Sequence, residues 1–364
     1  MNIRAAVVER KGGPFVLRDV ELDAPRHDEV VVRLAGSGIC HTDLMARDQL
    51  LAMALPAVFG HEGSGVVEKV GSHVRKVAPG DHVVLSFLSC GICPACLKGV
   101  PTRCSSYFQY NMGGARIDGS ATMRTRDGKV HGNFIGQSSF ATHSLMNERG
   151  VVKVRKDAPL EILGTLACAV QTGVGGVMNA LRPEVGASIA VFGTGAVGLN
   201  AIMGAAIADC RNIIAVDINP ARLELAREMG ATHAIDSSRA DPVEEIMTIT
   251  GGVGYSLECT GLPAVLRQAV DVLAIGGRCG MIGVAPAEVE VRLPMQHLLD
   301  GRTVAGIIAG DSVGDIFIPQ LIELHMKGRL PFDRLVRSYP FEEINRAVED
   351  VEQRRTVKAV LRFD

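Results

Sequence analysis

From Arg4 to about Asp157 the apolar positions fall in short runs, such as Val30-Val31-Val32-Arg33-Leu34, Gly65-Val66-Val67-Glu68-Lys69-Val70 and His82-Val83-Val84-Leu85. Gly, Pro and Asp break the runs apart, as in Ala78-Pro79-Gly80-Asp81. Short runs bounded by turn residues predict a β-rich domain. Around Gly173 the rhythm changes to apolar strands alternating with helical stretches of ten or more residues. That pattern predicts βαβ units around a parallel sheet, and so a second, α/β domain. Its predicted elements are a strand over Ser188–Phe192, a helix from about Ala196 to Ala208, a strand over Asn212–Asp217 and a helix opening at Pro220. Later strands are expected near Ser256–Cys259 and Arg278–Ile282, with the sheet continuing to about Ile308. Ile316–Met326 reads as a helix and Thr356–Phe363 as a last strand that rejoins the first domain. The expected division is residues 1–169 together with 309–364, and residues 170–308.

Composition narrows the class. The chain has 364 residues, beyond the usual size of one domain, and a formal charge of −2 with both signs interspersed. There is no basic face for nucleic acid, and no apolar stretch long enough for a membrane span. The N-terminus runs straight into alternating residues without a basic region, an apolar core and a cleavage site, so a cytoplasmic location is expected. Forty-one glycines and the absence of Trp suit a β-rich fold with tight turns and loops that hug a cofactor.

The first chemical signal lies in the α/β half. Gly193-Thr194-Gly195-Ala196-Val197-Gly198 follows a strand and opens a helix, and Asp217 ends the next strand nineteen residues after Gly198. In a dinucleotide fingerprint the first glycine makes the turn, the second admits the pyrophosphate, and the third lets helix pack on strand; the helix N-terminus offers free amides. A carboxylate at Asp217 accepts from both ribose hydroxyls and repels a 2′-phosphate, which favours NAD over NADP. The plain alternative for Asp217 is an N-cap for the helix at Pro220. Arg222 is placed either at the same ribose or in solvent.

Nine cysteines are too few for a disulfide scaffold in a chain of this length, yet four fall within fifteen residues. Cys90, Cys93, Cys96 and Cys104 read C-x2-C-x2-C-x7-C. Two-residue gaps let thiolates converge on one tetrahedral zinc, and four of them leave no open position, so the lobe at about 89–105 is expected to hold a structural zinc. Iron–sulfur ligation uses related spacing, but no Pro follows Cys104. A second set is spread out: Cys40-His41-Thr42-Asp43, Gly60-His61-Glu62-Gly63 and Cys168. Two thiolates and an imidazole would leave one position of a zinc open, as catalysis needs, whereas any one of the three alone is more often a core residue.

Taken with Gly38-Ile39, Pro79-Gly80-Asp81-His82-Val83, the cysteine lobe and the nucleotide fingerprint, these motifs make the whole chain resemble the zinc-dependent medium-chain alcohol dehydrogenases. The resemblance implies a GroES-like β-rich catalytic domain joined to a Rossmann doubly wound parallel sheet. It also implies a catalytic zinc on Cys40, His61 and Cys168, with Glu62 as a transient ligand and Asp43 bonded to His61. Thr42 would touch the substrate oxygen and pass on its proton, His41 would meet the pyrophosphate, and Thr172 would pack near the nicotinamide. The partners implied are a small alcohol or aldehyde and further copies of the chain, through sheet edges near Met281–Val284 and Thr303–Ile308, as a homodimer or homotetramer.

Two departures matter. Well-studied members continue the proton relay with a histidine five residues after the first zinc cysteine, where this chain has Met45, so the proton is expected to leave through cofactor ribose and water. Glutathione-dependent formaldehyde dehydrogenases carry an arginine where this chain has Phe108. The run Gly136-Gln137-Ser138-Ser139-Phe140-Ala141-Thr142-His143 resembles bacterial aryl- and benzyl-alcohol dehydrogenases, which makes a primary aromatic or allylic alcohol the expected substrate, with Phe87 and Phe140 placed either in the pocket lining or, equally, in the core. Four rival readings are an S-(hydroxymethyl)glutathione (formaldehyde) dehydrogenase, a general aliphatic alcohol dehydrogenase, a zinc-free NADPH reductase of the superfamily, and a zinc-ribbon interaction module on a nucleotide-sensing domain. The second ligand set is what the module reading leaves unexplained.

Overall fold

The computed structural model describes residues 1–126 and 128–363. Its contacts divide the chain into two compact units: Met1–Cys168 with Val313–Met326 and Asp333–Asp364, and Ala169–Ser312 with Lys327–Phe332. The return to the first unit therefore falls at Val313, a few residues past the expected 309, and the short stretch Lys327–Phe332 goes with the second unit.

The first unit is built from two sheets among the described residues. One has five strands around the antiparallel pair Asn2–Val8 and Phe15–Leu22; the other has seven strands centred on Glu29–Gly38. Glu29–Gly38 pairs antiparallel with Gly63–Val70 on one side and with the late strand Lys358–Arg362 on the other. This pairing carries Lys358, 296 residues away in sequence, next to the turn that holds His61 and Glu62. Alternating inward residues bury Phe59, Phe134, Phe140, Leu145 and Leu361 in one core, and a second core gathers Val30, Val32, Leu85 and Met146. Strand pairing of this kind buries one face, so the pattern of alternation in the sequence sets the register.

The second unit is a parallel six-stranded sheet, with the strands His233–Asp236, Asn212–Asp217, Ser188–Phe192, Val253–Glu258, Leu273–Met281 and Thr303–Gly306 side by side in that order. The central strands are near-continuous apolar runs because helices cover both faces. Predicted and observed bounds agree closely at Ser188–Phe192, Asn212–Asp217 and the helices Ala196–Ile207 and Pro220–Glu228. They differ where glycine interrupts the apolar run: Leu273–Met281 starts five residues before the expected Arg278, because Gly276 and Gly277 hide the strand's first half. No single helix among the described residues is long and apolar enough to cross a membrane.

Candidate metal and cofactor sites

Cys40, two residues past the strand Glu29–Gly38, caps the helix His41–Arg47 with extended backbone, φ −120° and ψ 155°. Asp43, on the first turn of that helix and fully buried, is the hub. One carboxylate oxygen accepts from the Cys40 backbone N–H at 2.9 Å. The other accepts from the Gly60 backbone N–H at 3.1 Å and from His61 Nδ1 at 2.8 Å. One aspartate thus ties two ligand segments together and fixes the His61 tautomer, leaving Nε2 free to bind.

His61 Nε2 lies 3.3 Å from Cys168 Sγ, and the Cys40 and Cys168 sulfurs are 3.8 Å apart. Cys168 is brought there by the helical turn Gly164–Ala167, whose Gly164 packs so closely that a Cβ would stand 1.9 Å from the Glu62 carbonyl oxygen. Tetrahedral zinc with Zn–S near 2.3 Å and Zn–N near 2.0 Å separates two sulfurs by about 3.8 Å and sulfur from nitrogen by about 3.5 Å. The donor set and its spacing therefore fit a zinc ion. Hydrogen bonding to Cys168 holds the Cys40 thiol well below its ordinary value, while the same bond and burial push Cys168 well above. Burial acts to lower His61, but Asp43 outweighs it and the ring is held above its ordinary value. A dication bound there would take both sulfurs as thiolates.

Glu62 belongs to the same cluster, and its ligand atom lies with those of Cys40, His61 and Cys168 inside a 4.8 Å span. It is completely buried. Its Oε1 accepts from Lys358 Nζ at 2.7 Å, and Lys358 also donates to the Ile39 carbonyl at 3.1 Å. Its Oε2 is buried with no hydrogen-bond partner, in space kept open by Gly38, where a Cβ would come within 2.0 Å. An orphaned buried carboxylate oxygen beside empty ligand positions is what a metal would satisfy. Burial pushes the Glu62 carboxyl up against the pull of Lys358; burial also acts to lower Lys358, but Glu62 and Cys40 hold it above its ordinary value.

Among the other expected residues, Thr42 has its hydroxyl 3.6 Å from Cys40 Sγ. His41 is exposed on the first turn of the helix. Met45 is buried on the same helix. Phe108 is 74 % exposed. Phe140 does not line a pocket: it is core, packed edge-on against Phe15 at 5.6 Å between ring centres. Phe87 instead contacts Tyr107 at 5.7 Å, and burial, reinforced by the charge of Cys168, pushes the Tyr107 phenol up. The residues that sequence reading missed are Lys358, Tyr107, Phe134 and Gln137. A lysine inside the apolar run Val357-Lys358-Ala359-Val360-Leu361 was a visible signal, because a charge on a buried strand needs a partner.

The second cluster is compact. Cys93 and Cys96 sulfurs are 3.5 Å apart, Cys90 and Cys96 3.9 Å, and the Cys90 backbone N–H donates to Cys104 Sγ at 3.2 Å. All four sulfurs lie within 4.8 Å of one another. Backbone N–H groups of Cys96 and Ser105 lower the Cys93 thiol to about 5, and burial raises Cys104 to about 11. Amides aimed at sulfur favour thiolate, the form a metal takes.

In the second unit each fingerprint glycine has a distinct physical reason. Gly193 has φ +88°, and a Cβ there would meet Thr260 at 2.7 Å. Gly195, exposed at the N-terminus of Ala196–Ile207, has open space where a Cβ would be. At Gly198 a Cβ would stand 1.9 Å from the Gly193 carbonyl oxygen. Val197 and Thr172 are helical, and Thr172 is buried. Asp217 is no N-cap: Asn219 caps the helix by accepting from Ala221 N–H at 3.0 Å, and Arg222 lies on that first turn. Asp217 instead braces the loop, accepting from the Thr194 backbone N–H at 2.6 Å and hydroxyl at 2.8 Å and from Asn219 N–H at 3.0 Å.

A metal-fit cluster on a β-rich unit and a nucleotide fingerprint on a parallel sheet define a zinc-binding dehydrogenase. Residues 26–156 match the alcohol dehydrogenase GroES-like domain and residues 196–324 the zinc-binding dehydrogenase family. The geraniol dehydrogenase of Castellaniella defragrans is 42% identical over all of this chain and 98% of its own length. The solved alcohol dehydrogenase zinc-binding domain protein of Burkholderia ambifaria is 49% identical, with a TM-score of 0.98 over 100% of this chain and 99% of its own. The benzyl alcohol dehydrogenase of Acinetobacter calcoaceticus is 43% identical, with a TM-score of 0.97 over 100% of both chains. The chain belongs to the zinc-dependent medium-chain alcohol dehydrogenase family, whose members use zinc and NAD, and is a zinc-dependent alcohol dehydrogenase.

Proposed function

We propose that the chain is an NAD-linked dehydrogenase of primary aromatic or allylic alcohols, with Cys40, His61 and Cys168 holding the catalytic zinc and Cys90, Cys93, Cys96 and Cys104 a structural one. The observation that carries the site is the convergence of two sulfurs and a tautomer-fixed imidazole at tetrahedral spacing. Bound there, zinc supplies Lewis acidity that makes an alcohol hydroxyl acidic near neutral pH. Hydride acceptance is the nicotinamide's own chemistry. The chain's residues do the rest: Thr42 accepts the alcohol proton while releasing its own hydroxyl proton toward cofactor ribose and water, Asp43 keeps His61 in register, and Lys358 restrains Glu62, whose second oxygen is free to reach the ligand positions. His41, Thr172 and Arg222 are cofactor contacts in this reading. Asp217 supports NAD, since a carboxylate beside the fingerprint disfavours a 2′-phosphate.

The aromatic or allylic assignment is supported by the likeness to proteins named for benzyl alcohol and geraniol. Phe108, in place of the arginine of the glutathione-dependent enzymes, disfavours the formaldehyde reading, as does its exposure. Homo-oligomerisation through the exposed edge strand Thr303–Gly306, flanked by Met281 and the 56 % exposed Val284, and a cytoplasmic location suited to nine cysteines outside any disulfide complete the proposal. The test is NADH formation from benzyl alcohol and from geraniol by zinc-replete protein, beside NADP, ethanol, and formaldehyde with glutathione. Turnover with the first two and its loss in Cys40→Ser support the proposal; silence with every alcohol while two zinc ions and NAD remain bound overturns it.

A further inference from the structure

We infer that Gln137 is a positioning residue that locks the His61 turn around the catalytic metal. The inference rests on the assignment of that metal to Cys40, His61 and Cys168. Gln137 is 1 % exposed, and its side-chain amide is saturated by one short stretch of backbone and its neighbour. Nε2 donates to the His61 carbonyl at 2.9 Å and to the Leu85 carbonyl at 3.0 Å, and Oε1 accepts from the Gly63 N–H at 3.0 Å. Two donors facing carbonyls and one acceptor facing an N–H describe a primary amide in one orientation; a carboxylate would set like against like.

The residues around Gln137 extend the same grip along the chain. Ser138 Oγ donates to the Val58 carbonyl at 2.6 Å, the Phe140 N–H to the Phe59 carbonyl at 2.9 Å, and the Ser139 N–H to the Gly60 carbonyl at 2.9 Å. Residues 58–63 are thus held step by step by residues 137–140. Close approach demands glycine opposite: a Cβ on Gly63 would come within 2.8 Å of Ser139 and 3.0 Å of Gln137 Oε1, and one on Gly60 within 2.5 Å of the Phe140 nitrogen. Phe134 sets its ring edge-on to His61 at 5.7 Å between centres. The gripping segment is itself strained, with Asn133, Ile135 and Ser138 at φ +56°, +47° and +54°. Left-handed isoleucine persists only where surrounding contacts over-determine it. Ser144 supplies one such contact by donating to the Gln137 carbonyl at 2.6 Å.

His61 is therefore fixed on three sides: Nδ1 by Asp43, ring edge by Phe134, and main chain by Gln137. Metal sites need ligands held to about half an ångström, and partners that orient a ligand change metal affinity by about 10–100-fold. Chelator-driven release from the zinc-loaded protein tests this, because the cysteine lobe is an internal control in the same molecule. In Gln137→Met, which keeps the volume and deletes the hydrogen bonds, one metal per chain is expected to leave about tenfold faster or more while the lobe metal leaves at the wild-type rate. Cobalt in the faster site is expected to show shifted ligand-field bands. Unchanged release and unchanged bands in Gln137→Met overturn the inference even if the variant melts at a lower temperature. Should Gln137→Met fail to accumulate folded, Ser144→Ala decides: faster release of the same metal supports the inference and wild-type release overturns it. A wild-type protein with metal only on the lobe overturns the site assignment itself, a result distinct from either.

Discussion

Replacing Lys358 with methionine isolates the buried ion pair beside the candidate catalytic metal. Lys358 is almost fully buried, Glu62 is completely so, and they meet at 2.7 Å. Removing one partner of a buried pair leaves an uncompensated charge, which costs about 3–5 kcal/mol. Glu62 cannot recover it locally, since Oε2 has no hydrogen-bond partner and lies close against Gly38. With a urea dependence of roughly 3 kcal/mol per molar, the unfolding midpoint of the first unit should fall by about 1–1.7 M at neutral pH and fixed metal content. The double variant Glu62→Gln with Lys358→Met removes both charges and should regain at least half of that loss, because neutral groups of similar volume carry no such penalty. A midpoint in Lys358→Met within about 0.3 M of wild type, or a double variant no better than the single one, would refute the reasoning.

The fingerprint glycines should separate by readout. Gly195→Ala faces open space and should fold within about 0.5 kcal/mol of wild type while binding NAD about tenfold more weakly; Gly198→Ala puts a Cβ 1.9 Å from a carbonyl oxygen and should lose stability by about 1–3 kcal/mol. Calorimetry of cofactor binding and thermal melts distinguish them. Burial and the charge of Lys129 push His131 down, so as pH drops below its unfolded value near 6.5 the unfolded chain takes the proton first and stability is lost; His131→Gln should flatten the stability profile just below pH 6.5. Met45→His, which places a titrating ring where the family's relay has one, should change the pH profile of turnover, and an unchanged profile would reject a relay that ends in ribose and water.

Much of the site could be read from types and spacing. Four cysteines within fifteen residues name a metal lobe because short gaps let sulfurs converge, whatever surrounds them. The G-x-G-x-x-G run names a phosphate turn because each glycine answers a local steric demand, and the structure shows those demands at Gly193 and Gly198. Asp43, three residues from Cys40 on one helical turn, was marked by the family resemblance, in the role a ligand histidine needs filled.

What the sequence could not decide is what strand pairing brings together across distance. Lys358 reaches Glu62 only because the last strand adds beside Glu29–Gly38, and Cys168 reaches Cys40 only through the turn that packs on Gly63's neighbours. Phe140 could be read either as pocket lining or as core, and only the fold chose: it lies at a bend before the strand His143–Asn147 and faces inward toward Phe15, a side that residue type alone does not assign. Gln137 was legible as part of a run and not as a clamp, because its three partners lie on segments 52 and 74–76 residues away. Composition and spacing determine which chemistry the chain can hold; the tertiary structure decides which buried groups orient it, because hydrogen bonds and ion pairs in a dry interior depend on positions that only the completed fold supplies.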